Sequence, residues 1–321
     1  MFKIPSFWKK KSIISFFLLP FSFFYYLGYL TYRLSKKEVE IGKPVLCVGN
    51  LVIGGAGKTP LVLRIRQLLS RDYSKIFVLT RGYLGKNKGP LIVKKTMHFQ
   101  DVGDESLIHA NFGSTCVSKN KVEGAKLCKK NGADLIILDD GLQSINVKKK
   151  MSLLVIDSFY GTKNRFIFPS GPLRQPTKDA LELCDAIIIL DKNFTKKKYE
   201  FVSHKNIYTG YRELKFSKNI KRKVIAFSAL GNNQNFYESL LDHKIKVDEF
   251  ISFPDHHKFS IYEIRNIIEK SEKKKLSVIC TRKDYIKVPD QFKKKICVAD
   301  LSLKINNSET LRQFILKTLK E

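Results

Sequence analysis

The chain has 321 residues, enough for two compact lobes of ordinary size, and its 43% apolar content with 12% aromatics excludes a disordered polymer despite 28% charged residues. Lysine and arginine number 59 against 30 aspartate and glutamate, a net charge of +29, which exceeds what solubility needs and suits nucleic acid, an anionic membrane or a phosphorylated substrate. Six scattered cysteines without a CxxC pair exclude a zinc ribbon and read as buried thiols of a reducing cytoplasm.

Residues 13–30 carry no charge and are dense in Phe, Leu and Tyr, with Lys9-Lys10-Lys11 before them and Arg33, Lys36 and Lys37 after. The run sits at the lower edge of the roughly 20 residues that cross a bilayer. Pro20, Ser22 and Gly28 weaken a straight spanning helix. Residues 1–38 are therefore expected to form a membrane-associated helix lying in the interface, its flanking cations against anionic lipid. No small-x-small cleavage site follows, which speaks against a signal peptide.

Beyond the anchor, short apolar runs at 45–48, 76–79, 135–138, 153–156 and 187–190 alternate with helical stretches such as 60–70 and 122–131. This rhythm predicts an α/β fold, a P-loop NTPase-like parallel-sheet domain over 39–210. Periodicity weakens over 199–223, and a second, smaller α/β domain is expected over 211–321. Its strands are predicted at 223–228, 247–253, 276–280 and 296–298, its helices at 235–241, 261–273 and 308–320, with Ser308 as the last N-cap.

The strand Val45-Leu46-Cys47-Val48 runs through Gly49-Asn50 into Gly54-Gly55-Ala56-Gly57-Lys58-Thr59, where Pro60 opens a helix. Strand, glycine loop and helix in that order predict ATP binding by residues 54–60: Gly54, Gly55, Ala56 and Gly57 admit backbone N–H groups to phosphate. Lys58 neutralises the β/γ-phosphates, Thr59 ligates Mg²⁺, and Pro60 suits a first turn. Val52 stands where the general pattern has its first glycine. The run Leu135-Ile136-Ile137-Leu138-Asp139-Asp140-Gly141 delivers two carboxylates to a strand end. Adjacent strand residues point to opposite faces, so Asp139 and Asp140 are expected to differ in role, and one suffices to hold the metal with Thr59. Asp101-Val102-Gly103-Asp104-Glu105 concentrates acid ahead of a helical stretch, taken alone an N-terminal helix-charge pattern, and Pro254-Asp255-His256-His257 follows a strand, where adjacent histidines suit acid–base or metal work or a plain loop cap.

In order, Val48-Gly49-Asn50, residues 54–60, Thr80-Arg81-Gly82-Tyr83, Val102-Gly103-Asp104-Glu105, Asp139-Asp140-Gly141-Leu142-Gln143, Phe168-Pro169-Ser170-Gly171-Pro172-Leu173-Arg174 and Phe253-Pro254-Asp255-His256 resemble the tetraacyldisaccharide 4′-kinases of lipid A biosynthesis over most of the chain. The resemblance implies a kinase at the cytoplasmic face of the bacterial inner membrane, using ATP and Mg²⁺ and phosphorylating the 4′-hydroxyl of an acylated glucosamine disaccharide phosphate. It further implies catalytic roles for Lys58, Asp104 and His256, the last two as the base toward the sugar hydroxyl, and substrate contacts from Asn50, Arg81 and Arg174. Anionic membrane lipid is the expected partner, with no nucleic acid, and the chain is expected to be a monomer. Two positions depart from the family: Ser144 replaces a His and Gln175 a Glu. A membrane-associated P-loop ATPase or GTPase switch is the alternative, but it has no need of Asp104, Arg174 and His256.

Overall fold

The computed structural model describes residues 5–8, 10–35, 37–53, 57–157, 164–202, 206–220, 223–231 and 233–321. The described residues divide into two units: the larger holds those up to 211 together with 303–321, the smaller those within 212–302.

In the larger unit the strands are β1 Val45–Asn50, β2 Ile76–Thr80, β3 Leu91–Ile92, β4 Thr115–Val117, β5 Leu135–Asp139, β6 Met151–Asp157 and β7 Ala186–Leu190, followed by β8, Ile207–Phe216, which continues into the smaller unit. They line up as β8-β7-β6-β1-β5-β2-β4-β3, parallel except for β3 against β4. Continuous apolar runs such as Ile76–Thr80 form strands here because both faces are covered. On one face Cys47, Leu79 and Leu138 pack with Val122, Ala125 and Cys128 of the helix Lys121–Lys130. On the other, Leu46, Val48 and Ile137 pack with Leu61, Val62 and Ile65 of the helix Lys58–Leu69.

The chain end joins that second face. In the helix Ser308–Lys320, Leu311, Ile315 and Leu319 recur every fourth residue and pack into the same cluster as Leu61 and Ile65. Arg312 clamps Asp72 with Nε at 3.0 Å and Nη2 at 2.5 Å. Residues 303–321 therefore leave the domain expected over 211–321, because their apolar stripe finds its partner on the larger sheet. Asn307, at φ 54°, occupies the N-cap position of the last helix without a side-chain capping bond, and Ser308 is the first helical residue rather than the N-cap.

The smaller unit carries β9 Lys223–Ser228, β10 Lys246–Ser252, β11 Ser277–Thr281 and β12 Ile296–Ile305, ordered β10-β9-β11-β12 and parallel. Its helix Ile261–Lys273 begins at a capping box: Ser260 Oγ accepts from Glu263 N–H, while the Glu263 carboxylate accepts from Ser260 N–H at 2.7 Å.

At the amino terminus, the helices Ile13–Phe17 and Leu19–Ser35 meet at Leu18. Among the described residues no helix is long and apolar enough to cross a membrane. Buried Ser22 donates to Ile167 O at 2.8 Å and accepts from Ser170 N–H at 3.1 Å, and Trp8 Nε1 donates to Pro169 O at 2.9 Å. These bonds hold one side to the segment after β6. Ile13, Phe17, Phe21 and Phe24, spaced four, four and three apart, stand 88%, 77%, 57% and 68% exposed.

Candidate active site

β1 and β5 are adjacent and parallel, so their carboxyl ends, Asn50 and Asp139-Asp140, open onto one edge of the sheet. Gly57, at φ 75°, turns the chain into the helix Lys58–Leu69 without a side chain to cap it. The first-turn N–H groups are thereby left for an anion. Gly54, Gly55 and Ala56 lie outside the described residues.

Residues 51–53, which follow β1, are fastened to neighbouring backbone, which accounts for Val52. It is buried, its carbonyl accepts from the Asn50 amide at 2.8 Å, and it bridges to Leu173. Ile53 N–H donates to Pro172 O, and Arg174 N–H to Leu51 O, both at 2.8 Å. A side chain at 52 adds apolar contact that a glycine would lack.

Lys58 Nζ donates to Asn50 Oδ1 at 3.0 Å and lies 3.5 Å from Asp140 Oδ1. Arg174 Nη1 donates to the same Asp140 oxygen at 2.7 Å and to Gln143 Oε1 at 3.2 Å. Asp140 reaches both cations because it takes φ 61°, a left-handed conformation that aspartate tolerates better than most residues. Burial pushes its carboxyl up, but Lys58 and Arg174 outweigh that and hold it below the usual carboxylate range. Gln143 Nε2 donates to Asn50 O at 3.3 Å and to buried Gln175 Oε1 at 3.4 Å, so Gln175 serves as an acceptor inside the site; Ser144 N–H donates to Gly141 O.

Asp139 faces differently, as the alternation of the strand requires. Thr59 Oγ1 approaches its Oδ2 at 3.5 Å, and His109 Nε2 donates to that oxygen at 2.7 Å. His109 was not singled out in the sequence, nor was Lys121, whose buried ammonium donates to Leu79 O at 3.4 Å. Burial lowers Lys121 to about 8, with Asp139 and Asp140 acting the other way. A histidine inside an acid-led helix and a lysine inside a lysine-rich run carry no motif by which to be found.

Asp104 is buried as the first residue of the helix Asp104–Phe112, and its Oδ1 accepts from Glu105 N–H at 2.9 Å. Gly103 before it, at φ 86°, lies so close to the Tyr83 carbonyl that a Cβ would stand 2.6 Å from it. Two of the sequence motifs thus interlock at a point that admits only glycine. Arg81 follows β2 and is exposed. In the smaller unit, His256 takes φ 57°, and Lys283 Nζ donates to its Nε2 at 3.1 Å, leaving the ring proton on Nδ1. Asp255 Oδ1 lies 3.8 Å from the same ammonium.

The family model for tetraacyldisaccharide-1-P 4′-kinase matches residues 14–320. The tetraacyldisaccharide 4′-kinase of Rhodopseudomonas palustris strain HaA2 is 33% identical, with 98% of this chain and 96% of the relative covered. That of Paramagnetospirillum magneticum is 33% identical with 94% of each covered. The crystal structure of LpxK from Aquifex aeolicus in complex with ATP superposes with a TM-score of 0.79 at 28% identity, covering 96% of this chain and 100% of that one. These matches set aside the nucleotide-switch reading, and the chain belongs to the tetraacyldisaccharide-1-P 4′-kinase family.

Proposed function

We propose that this chain transfers the γ-phosphoryl group of ATP to the 4′-hydroxyl of a tetraacyldisaccharide 1-phosphate, as the names of its relatives describe. The observation that carries this reading is the pairing at the ends of β1 and β5: Lys58 against Asn50 and Asp140, and Thr59 against Asp139. A P-loop built from residues 54–60 would hold the triphosphate, with Lys58 meeting its outer charge. Thr59 and Asp139 supply hard oxygen donors of the kind Mg²⁺ takes alongside phosphate and water, and Asp140 offers a third once Lys58 turns to nucleotide. When bound, the ion neutralises charge on the transferred group.

Proton acceptance from the sugar hydroxyl is assigned to Asp104 and His256. Asp104 is a buried carboxylate at a helix start, and His256 can take a proton at Nε2 once the Lys283 ammonium, 3.1 Å away, releases that lone pair. Asn50, Arg81 and Arg174 are assigned to the substrate, with Arg174 exchanging Asp140 for a phosphate. The exposed Ile13, Phe17, Phe21 and Phe24 support an anchor lying in the cytoplasmic interface of the inner membrane, where the surplus of cations meets anionic lipid. A monomer is retained as the working state.

Asp104→Ala and His256→Ala are expected to lower turnover at least a hundredfold while ATP affinity, read by calorimetry, stays within about threefold of wild type. Wild-type turnover in both variants would discard the base assignment.

A further inference from the structure

His109 is fully buried, and its Nε2 stands 2.7 Å from Oδ2 of Asp139, a carboxylate itself only 3% exposed. A carboxylate can only accept, so Nε2 carries a proton in this bond. The other ring nitrogen, Nδ1, is buried and has no hydrogen-bond partner among the described residues. The ring therefore spends its polarity on the one bond to Asp139. On the carboxylate, Oδ2 meets both His109 and Thr59, and Oδ1 accepts no hydrogen bond among the described residues.

His109 also ties together the elements that bear the chemistry. It lies on the helix Asp104–Phe112, five residues after the candidate base, and its carbonyl accepts from Arg66 Nη1 at 3.5 Å. Arg66 belongs to the helix Lys58–Leu69. One short helix thus starts at Asp104, is bonded to the helix that follows the glycine loop, and reaches Asp139 on β5.

We propose that His109 is a positioning residue for the divalent cation: by holding Oδ2 of Asp139 it fixes the carboxylate beside Thr59 with Oδ1 free to face Mg²⁺. This rests on the reading of Asp139 as a cation-binding residue. Hydrogen-bond partners behind a metal-binding group set its orientation, and removing one weakens metal affinity about 10–100-fold. A purely structural histidine would affect stability alone.

The test uses the full-length chain and a non-hydrolysable ATP analogue, with affinity measured by calorimetry in excess EDTA and across a Mg²⁺ titration. His109→Leu and His109→Asn, whose amide is too short to reach Asp139, should leave affinity in EDTA unchanged and raise half-saturating Mg²⁺ about tenfold. His109→Gln, whose amide nitrogen falls where Nε2 lies, should restore it to within about threefold. In turnover, the short variants should show the same rise in the Mg²⁺ requirement with a smaller change in kcat at saturating Mg²⁺. His109→Asn keeps the test open should His109→Leu fail to fold. A Mg²⁺ titration of His109→Asn matching wild type overturns the proposal. Asp139→Asn separates the two claims: if it too matches wild type, the cation reading of Asp139 falls with it, whereas a Mg²⁺ defect in Asp139→Asn alone removes only the role of His109.

Discussion

Lys121 holds its ammonium inside the larger unit within the influence of Asp139 and Asp140, and burial lowers its pKa from 10.5 to about 8. Below pH 8 the folded chain bears the full cost of that buried charge. As pH rises from about 8 toward 10.5, the folded chain has released a proton that the unfolded chain still binds, so stability rises with pH. The unfolding free energy of wild type relative to Lys121→Met should accordingly gain up to ~3 kcal/mol across that window. A flat difference in denaturant titrations over the window would refute the burial of charge at this position. Single residues were legible in the sequence where a motif fixes their setting: Lys58 and Thr59 follow a strand and glycines, and Asp139 ends an apolar strand. His109 and Lys121 were not, because their roles arise from elements that meet only in three dimensions, the helices Asp104–Phe112 and Lys121–Lys130 against the β5 end.

Among the elements, β1, β2, β5, β6 and β7 could be read from sequence because burial on both faces makes each a continuous apolar run. β8 could not: Ile207–Phe216 reads IYTGYRELKF, is mostly half-exposed, and shows no sustained alternation. β3 and β4, two and three residues long, are too short to show a period. The helix Ser308–Lys320 was legible as an amphipathic helix, but a stripe of apolar residues states that a face is buried and not against what. Its packing in the larger unit makes a measurable claim. Ile315→Ala should cost about 2–5 kcal/mol. The Arg312 clamp to Asp72 is an ion pair screened by solvent, so Arg312→Ala should cost far less than Ile315→Ala. Equal, small losses from both substitutions would mean that Ile315 is not a core residue.

At the scale of the whole molecule, the exposed apolar stripe and the charge of +29 both suit the anionic membrane surface of the proposed function. Tyr25 OH donates to Arg174 O at 3.2 Å, so the helix Leu19–Ser35 touches the segment that carries a candidate substrate-binding arginine. Replacing Phe17, Phe21 and Phe24 together with Ser should weaken binding to anionic vesicles at least a hundredfold in a sedimentation assay, and raising salt should weaken the wild type further. Unchanged vesicle binding by the triple variant would remove the interfacial anchor. Every part of the proposed site converges on one reaction, and that reaction can be measured directly. Purified full-length chain in detergent, given Mg²⁺, ATP labelled at the γ-phosphate and tetraacyldisaccharide 1-phosphate, should move the label onto the lipid to give a bisphosphate, and Lys58→Ala should abolish the transfer. Absence of labelled lipid with folded wild-type chain, or label transfer undiminished in Lys58→Ala, would contradict the account.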